Sequence, residues 1–368
     1  MRRWAEVSRL VVLAFACGGC QLVFELQAPD DAVLGPCTPG KLPAVMAGGW
    51  EAGAVDGNGT MYVGYRDAAS ERLFVQAIDA RGALAAIPRS LTDGPEGESL
   101  RMFGHGGAAS LSFELVLDGF SAVVAHTITE TALSDRSRLT GPGNQCSSSV
   151  TLVRNDRVFA AYRDEITSDP PVYKTIVDLL DSSLTPVGQV SYDFEELGGP
   201  QQLVATTNGY LVHTTDADAR NLYPLDVDGQ VTGAPMPIGG ADLITLVEST
   251  PEDRPMLARA TGGGVELVAL SLDGAPTDST IVTAGGVQVT ALATRSTSTG
   301  TLVLWQDQQL RVSRVTADGP TEPAIVSVDG ANPVARAIVQ GAAGPIVYVE
   351  RGPDAGPKEI VAVQACGL

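Results

Sequence analysis

The sequence is short of the side chains that most enzyme chemistry needs. Its 368 residues include three histidines, His105, His126 and His213. None lies in an H-E-x-x-H motif or at zinc-ligand spacing from a cysteine. No G-x-S-x-G elbow, phosphate-binding loop or dinucleotide fingerprint occurs, so motifs name no cofactor, no metal and no catalytic residue. Positive charge is scarce as well. Lys and Arg number 24 against 43 Asp and Glu, a net charge of −19, which disfavours nucleic acid and anionic membrane surfaces because both are polyanions. The apolar run Leu10–Ala16 is far too short to span a bilayer as a helix. Aromatic residues make up 5% and charged residues 18%, which leaves small, apolar and turn-forming residues to build the chain.

Turn residues are plentiful, with 41 Gly and 23 Pro, and they punctuate a repeat. The clearest unit is 287–330, with four short runs at Val287–Thr294, Thr301–Trp305, Leu310–Val315 and Ala324–Val328. Each run is rich in β-branched or aromatic residues and ends in turn chemistry. An apolar strand followed by a glycine step recurs with last glycines Gly49, Gly94, Gly141, Gly199, Gly240, Gly286 and Gly330, at spacings of 45, 47, 58, 41, 46 and 44 residues. A four-stranded unit of that period cannot stand alone and must pack against its copies. The pattern predicts an all-β, seven-bladed β-propeller with four-stranded antiparallel blades over 41–368. Helical solenoid repeats fit badly, because the runs alternate with period two.

The last unit, 331–368, holds only three runs, and the N-terminal stretch 41–49 has no strands before it. The expected architecture is therefore a ring closed by the N-terminal strand, which supplies the outer strand of the C-terminal blade. Cys37 and Cys366 flank that pairing and could be neighbours. A disulfide between them would staple the ring, at about 2–5 kcal/mol. Two unpaired cysteines, or a bridge from Cys37 to Cys146, are the other readings.

Residues 1–19 read as a targeting segment. Arg2, Arg3 and Arg9 form a basic start, the apolar run follows, and Gly18-Gly19-Cys20 closes it. This arrangement resembles a bacterial lipoprotein signal, which implies cleavage before a lipidated Cys20. It departs from that family at Cys17, where an aliphatic residue is usual; Cys17 is itself a rival cleavage point, and an ordinary secretory signal cut near Gly19 is the plainer alternative. Losing three Arg and one Glu would take the net charge from −19 to −21. Gln21 lacks the aspartate linked to inner-membrane retention, so the resemblance implies an outer-membrane lipoprotein, with a secreted or periplasmic protein as the alternative. Residues 20–40, with Pro29, Pro36 and Pro39, read as a tether. Signal and architecture together resemble the poorly characterised propeller lipoproteins of bacterial envelopes, without any shared motif. The repeat motif of the propeller scaffold in outer-membrane protein assembly, the Asp boxes of sialidase-like propellers and regular Trp-Asp repeat ends are absent.

The second run of several units ends in an acid. Asp67, Asp164, Asp216 and Asp307, with the neighbouring Arg66 and Arg163, are the candidates for a ligand-binding ring face, where converging carboxylates could hold a cation. The competing reading is that Asp recurs as a turn starter. The Asp-Gly pairs at Asp118, Asp228, Asp273, Asp318 and Asp329 read as hairpin turns. The expected function is a monomeric, lipid-anchored binding or scaffold module for a protein or glycan partner in the envelope. A glycan-active hydrolase or lyase, using a carboxylate or His105 or His126 at the ring face, is the alternative. A cluster of His, Tyr, Arg and acids at the central channel would favour the enzyme, and a flat, apolar or glycine-lined face the binder.

Overall fold

The computed structural model describes residues 40–368 apart from 57, 106, 118–119, 140–144, 155–156, 169–170, 182–185, 193–199, 216–219, 240–242, 248–253, 263, 285–287, 354–355 and 367–368. The signal, Cys20, Cys37, nearly all of the tether, Asp118 and Asp216 lie outside the described residues. So do the side chains of His105, Cys146, Arg163 and Asp164. Backbone contacts divide the chain after Gly35, and every described residue belongs to the unit Pro36–Leu368.

That unit is built from antiparallel strands, with no helix among the described residues. The first group is β1 (Gly40–Val55), β2 (Met61–Asp67), β3 (Leu73–Ile78) and β4 (Arg89–Ser90). The second is β5 (Glu98–His105), β6 (Ala108–Leu117), β7 (Phe120–Ile128) and β8 (Ser137–Arg138). Then come β9 (Gln145–Arg154), β10 (Arg157–Ser168), β11 (Pro171–Leu180) and β12 (Pro186–Tyr192). The fourth group is β13 (Pro200–Thr206), β14 (Gly209–Thr215), β15 (Arg220–Asp226) and β16 (Met236–Pro237). The fifth is β17 (Leu243–Val247), β18 (Met256–Thr261), β19 (Gly264–Leu270) and β20 (Pro276–Ala284). The sixth is β21 (Ala291–Thr297), β22 (Gly300–Gln306), β23 (Leu310–Thr316), β24 (Gly319–Pro320) and β25 (Ala324–Val326). Last are β26 (Val334–Gly341), β27 (Gly344–Arg351) and β28 (Glu359–Gln364).

Four of the sheets have four strands each, β5–β8, β9–β12, β13–β16 and β17–β20. The sheet of β21–β25 has five, and a seven-stranded sheet runs β26-β27-β28-β1-β2-β3-β4. β1 lies in the middle of the last. Its first part pairs β28, from Gly40 opposite Gln364 to Ala47 opposite Glu359. Its second part pairs β2, from Gly48 opposite Asp67 to Val55 opposite Met61. The sequence pattern ended a strand at Gly49, but the strand runs through it. Gly48 explains the passage, since a Cβ there would lie 2.2 Å from the Arg66 carbonyl oxygen.

The sheets stack face to face, and their cores form between neighbours. Leu73 and Val75 pack with Leu111, Phe113 and Val124 of the next sheet. Leu211 and Leu222 pack with Leu257 and Val268, and Val265 and Leu267 with Val303 and Trp305. Leu302 and Leu304 pack with Val347 and Val361, and Tyr348 and Ile360 with Met61 and Val63. A second strand is thus covered on both faces, so β22 (GTLVLWQ) and β27 (GPIVYVER) bury an unbroken run instead of alternate positions. Each buried Leu, Ile or Val contributes roughly 1.5–3 kcal/mol.

The hairpins share one device. The Asp56 Oδ1 accepts the N–H of Asn58 and Thr60 at 2.8 and 2.9 Å. Asp79 does the same for Arg81 and Ala83, and Asp226 for Asp228 and Gln230. A left-handed glycine follows three positions on, Gly59, Gly82 and Gly229 at φ 85°, 76° and 82°, a conformation that costs glycine little. The Asp-Gly pairs at Asp228, Asp273 and Asp318 therefore lie in turns, as their sequence implied.

Candidate functional site

The first strands of successive groups are neighbours. β1 lies beside β5, β5 beside β9, β9 beside β13, β13 beside β17, β17 beside β21, β21 beside β26, and β26 beside β1. Between them is a cavity of ≈ 330 Å³. Apolar side chains such as Met102, Leu203, Leu246 and Ile338 form much of its wall. Its described polar lining is Glu51, Arg101, Gln202, Thr245, Thr294, Arg295 and Arg336.

Register shifts help aim these groups. The pairing slips between Trp50 and Ala52 in β1 and between Ala335 and Ala337 in β26. The extra residues are Glu51 and Arg336, both lining the cavity. A bulge adds one residue to a strand and re-aims its side chain. β5 slips in the same way between Glu98 and Arg101, with Ser99 at φ 55°, and β13 slips between Pro200 and Gln202.

The three arginines are held from behind. Arg336 Nη2 donates to Glu350 Oε2 at 3.1 Å. Arg101 Nη1 donates to the Leu100 carbonyl at 3.1 Å; burial lowers its pKa, opposed by the charges of Glu114 and Glu51. Arg295 is also engaged within the protein. Glu51 pairs with Arg66 at 3.0 Å. The Gln202 amide ties two strands of the wall together, its Oε1 accepting the Leu246 N–H at 2.7 Å and its Nε2 donating to Thr245 Oγ1 at 3.0 Å. Thr294 Oγ1 is buried without a hydrogen-bond partner.

The described candidates at the second-strand ends, Arg66, Asp67 and Asp307, stand elsewhere. Asp67 Oδ2 accepts the N–H of Ala69 and Ser70 and the Ser70 hydroxyl, and these bonds with Ser70 hold its carboxyl below the usual range. Asp307 accepts the Gln309 N–H at 2.7 Å and pairs Arg311 at 3.0 Å. Asp164 and Arg163 lie within β10, opposite Cys146 and Ser147 of β9. Arg66, Asp67 and Asp307 are not among the described residues of the cavity wall; Asp216 and the side chains of Arg163 and Asp164 lie outside the described residues.

What recurs at that end is a clamp onto a neighbouring group of strands, and the motif reading missed it. Glu350 ends the buried run of β27, and its Oε2 accepts the Trp50 N–H of β1 at 2.8 Å. Gln306 ends β22, and its Oε1 accepts the Ala335 N–H of β26 at 2.9 Å while its Nε2 donates to the Pro333 carbonyl at 2.6 Å. Arg66, one residue before Asp67, donates to the Pro95 and Gly97 carbonyls on the approach to β5 at 2.9 and 2.6 Å. Trp50 and Ala335 each stand just before the extra residue of a bulge, so the clamps fix the strands that carry Glu51 and Arg336.

His126 and His213 are buried and are not among the described residues of the cavity wall. His126 of β7 stacks on Phe113 at 5.9 Å, and its Nδ1 faces the Ser134 carbonyl at 3.0 Å. His213 of β14 is 5% exposed; burial, helped by Arg220, pushes its pKa down to about 4. Among the described residues no group of three or more His, Cys, Asp or Glu could hold a metal ion.

No protein-family model matches the sequence. No curated protein matches it either. Solved structures do. The Dos1 propeller is similar over 89% of this chain and 94% of its own, with a TM-score of 0.50 at 10% identity. The chain is a β-propeller. A prolyl endopeptidase structure is similar over 86% of this chain with a TM-score of 0.54 at 13% identity, and the chain spans 47% of that protein. At such identities the likeness concerns the propeller fold alone.

Proposed function

We propose that this propeller is a lipid-anchored, extracytoplasmic binding or scaffold module for a protein or glycan partner in the cell envelope. The observation that carries the reading is the composition of the cavity wall. Its described polar groups are three guanidiniums, one amide, two hydroxyls and a single carboxylate already paired with Arg66. A guanidinium donates hydrogen bonds but does not exchange its proton near neutral pH. Such a wall recognises a ligand and leaves it unchanged, whereas a glycosidase-type site needs two carboxylates facing one bond.

The anchored ring is part of the same proposal. If β1 counts twice, once with β26–β28 and once with β2–β4, the six sheets make seven blades, and β1 closes the ring. Its hydrogen bonds to β28 on one side and β2 on the other support that count. A Cys37–Cys366 disulfide would staple the closure. Gly40 stands opposite Gln364, and Cys366 is not a free residue, which supports the reading. Lipid on Cys20, followed by the tether, would hold the module at the outer membrane as a monomer.

The mass of the protein purified from membranes, intact and after reduction with alkylation, tests the anchor and staple. A diacylglyceryl-modified chain beginning at Cys20, with Cys37 and Cys366 linked, is the expected result. An unlipidated chain cut elsewhere, with both thiols free, overturns both. Cross-linking in intact cells then tests the module itself, which predicts a reproducible envelope partner.

A further inference from the structure

The cavity reverses the charge bias of the chain. Acids outnumber bases 43 to 24 in the sequence, yet the described ionisable groups of the wall are Arg101, Arg295, Arg336 and Glu51. We propose that the cavity binds a compact ligand with an oxyanion head, a carboxylated sugar or a phosphate ester of about monosaccharide size. This rests on the reading of the propeller as a binding module and names the chemistry of what it binds.

Three features carry the inference. First, the guanidiniums keep donors in reserve. A guanidinium has five N–H donors in a planar fork that matches carboxylate and phosphate. Among the described residues, Arg101 commits Nη1 to the Leu100 carbonyl and Arg336 commits Nη2 to Glu350. Arg295 has a partner of its own, and its part here is charge. Second, the wall is rigid. Gln306 fixes the backbone of β26, which bears Arg336, and Glu350 and Gln202 fix those of β1 and β17 in the same wall, so these strands are ordered before a ligand arrives and less entropy is lost on binding. Third, the lining suits a small polar molecule. Apolar residues such as Leu203, Leu246 and Ile338 stand among its polar groups and lower the local dielectric, which strengthens charge-assisted bonds. At ≈ 330 Å³ the space admits one or two sugar rings but not a folded domain.

The test is calorimetric titration of the whole mature chain at constant ionic strength with sodium glucuronate, glucose, glucose 6-phosphate and inorganic phosphate. Glucuronate or a phosphate species is expected to bind saturably and glucose to fail. R336Q and R101Q should each weaken binding about tenfold, the equivalent of about 1.4 kcal/mol. E51Q, which removes the one described wall carboxylate, should tighten it severalfold. Binding by glucuronate alone assigns a sugar acid, and binding by the phosphates alone a phosphate ester; either supports the oxyanion site. The absence of saturable binding by every anion, or equal affinity of wild type and E51Q, overturns it, even where an arginine variant fails to fold. An envelope partner still captured by R336Q would leave the module standing while the oxyanion site falls.

Discussion

Replacing Glu350 by alanine removes the acceptor that ties β1 to β27. The carboxylate is 3% exposed and serves three donors, the Trp50 N–H at 2.8 Å, Arg336 at 3.1 Å and Lys358 at 2.8 Å. Arg336 and Lys358 are 34% and 40% exposed, so water restores most of their solvation and each ion pair is worth about 0–1 kcal/mol. The Trp50 N–H is inside the structure, and its loss of an acceptor costs about 1–3 kcal/mol. With the space left by the side chain, the total is about 3 kcal/mol. A unit of about 330 residues with an unfolding entropy of about 2.1 cal/mol/K per residue then melts about 4 °C lower. Glutamine keeps an oxygen for Trp50 and loses only the charge, so Glu350→Gln should lie near half of that shift. Calorimetric melting at pH 7, with hydrogen exchange at the Trp50 amide, measures both. Acid adds a sign. Burial alone would raise this carboxyl, but Lys358, the Trp50 N–H and Arg336 outweigh it and hold it below the usual range. Its stabilisation is complete above the unfolded-state value of about 4.3 and is lost as pH falls through the lower folded-state value. The gap between wild type and Glu350→Gln should therefore close in acid. Equal melting of the Ala and Gln variants at pH 7, or a gap that widens in acid, would refute the reasoning.

Gly104→Ala should be far more damaging than its size suggests. A Cβ there would lie 1.8 Å from the Val55 carbonyl oxygen, a backbone atom of the neighbouring sheet, and a cost of about 3 kcal/mol or more is expected in urea unfolding. His213 should shape the acid limb of stability. Its folded-state pKa of about 4 lies below the ordinary 6.5, so its neutral form is accommodated at pH 7 and stability falls as pH drops from about 6.5 towards 4. His213→Gln should flatten that part of a urea-midpoint profile against pH, and an unchanged slope would count against a buried neutral imidazole.

The sequence made the repeat legible because two independent signals coincide, period-two alternation and glycine turns. Of the runs expected in 287–330, Thr301–Trp305 and Leu310–Val315 lie within observed strands, and Val287–Thr294 and Ala324–Val328 overlap Ala291–Thr297 and Ala324–Val326. The site was harder to read. Arg101, Arg295 and Arg336 fall in first strands with no common motif, and bulges at Glu51 and Arg336 break the alternation that would have set their facing. The acids drew the eye because they repeat, but Asp67 and Asp307 are spent on turns. The clamp residues Arg66, Gln306 and Glu350 share a position and a task, not a chemical type. Only the hydrogen bonds to Gly97, Ala335 and Trp50 reveal the kinship.

The double pairing of β1 also sets an order of events in synthesis. As the chain emerges from its N-terminal end, Met61–Asp67 soon follows to cover one side of the strand. Its first part, Gly40–Ala47, pairs with Glu359–Gln364, more than 300 residues further along the chain. Until then that strand edge stands open, able to join a second unfinished chain as readily as its own. The two partners of β1 therefore arrive far apart in time, and the first part of the strand stays open to a foreign strand until Glu359–Gln364 has been made.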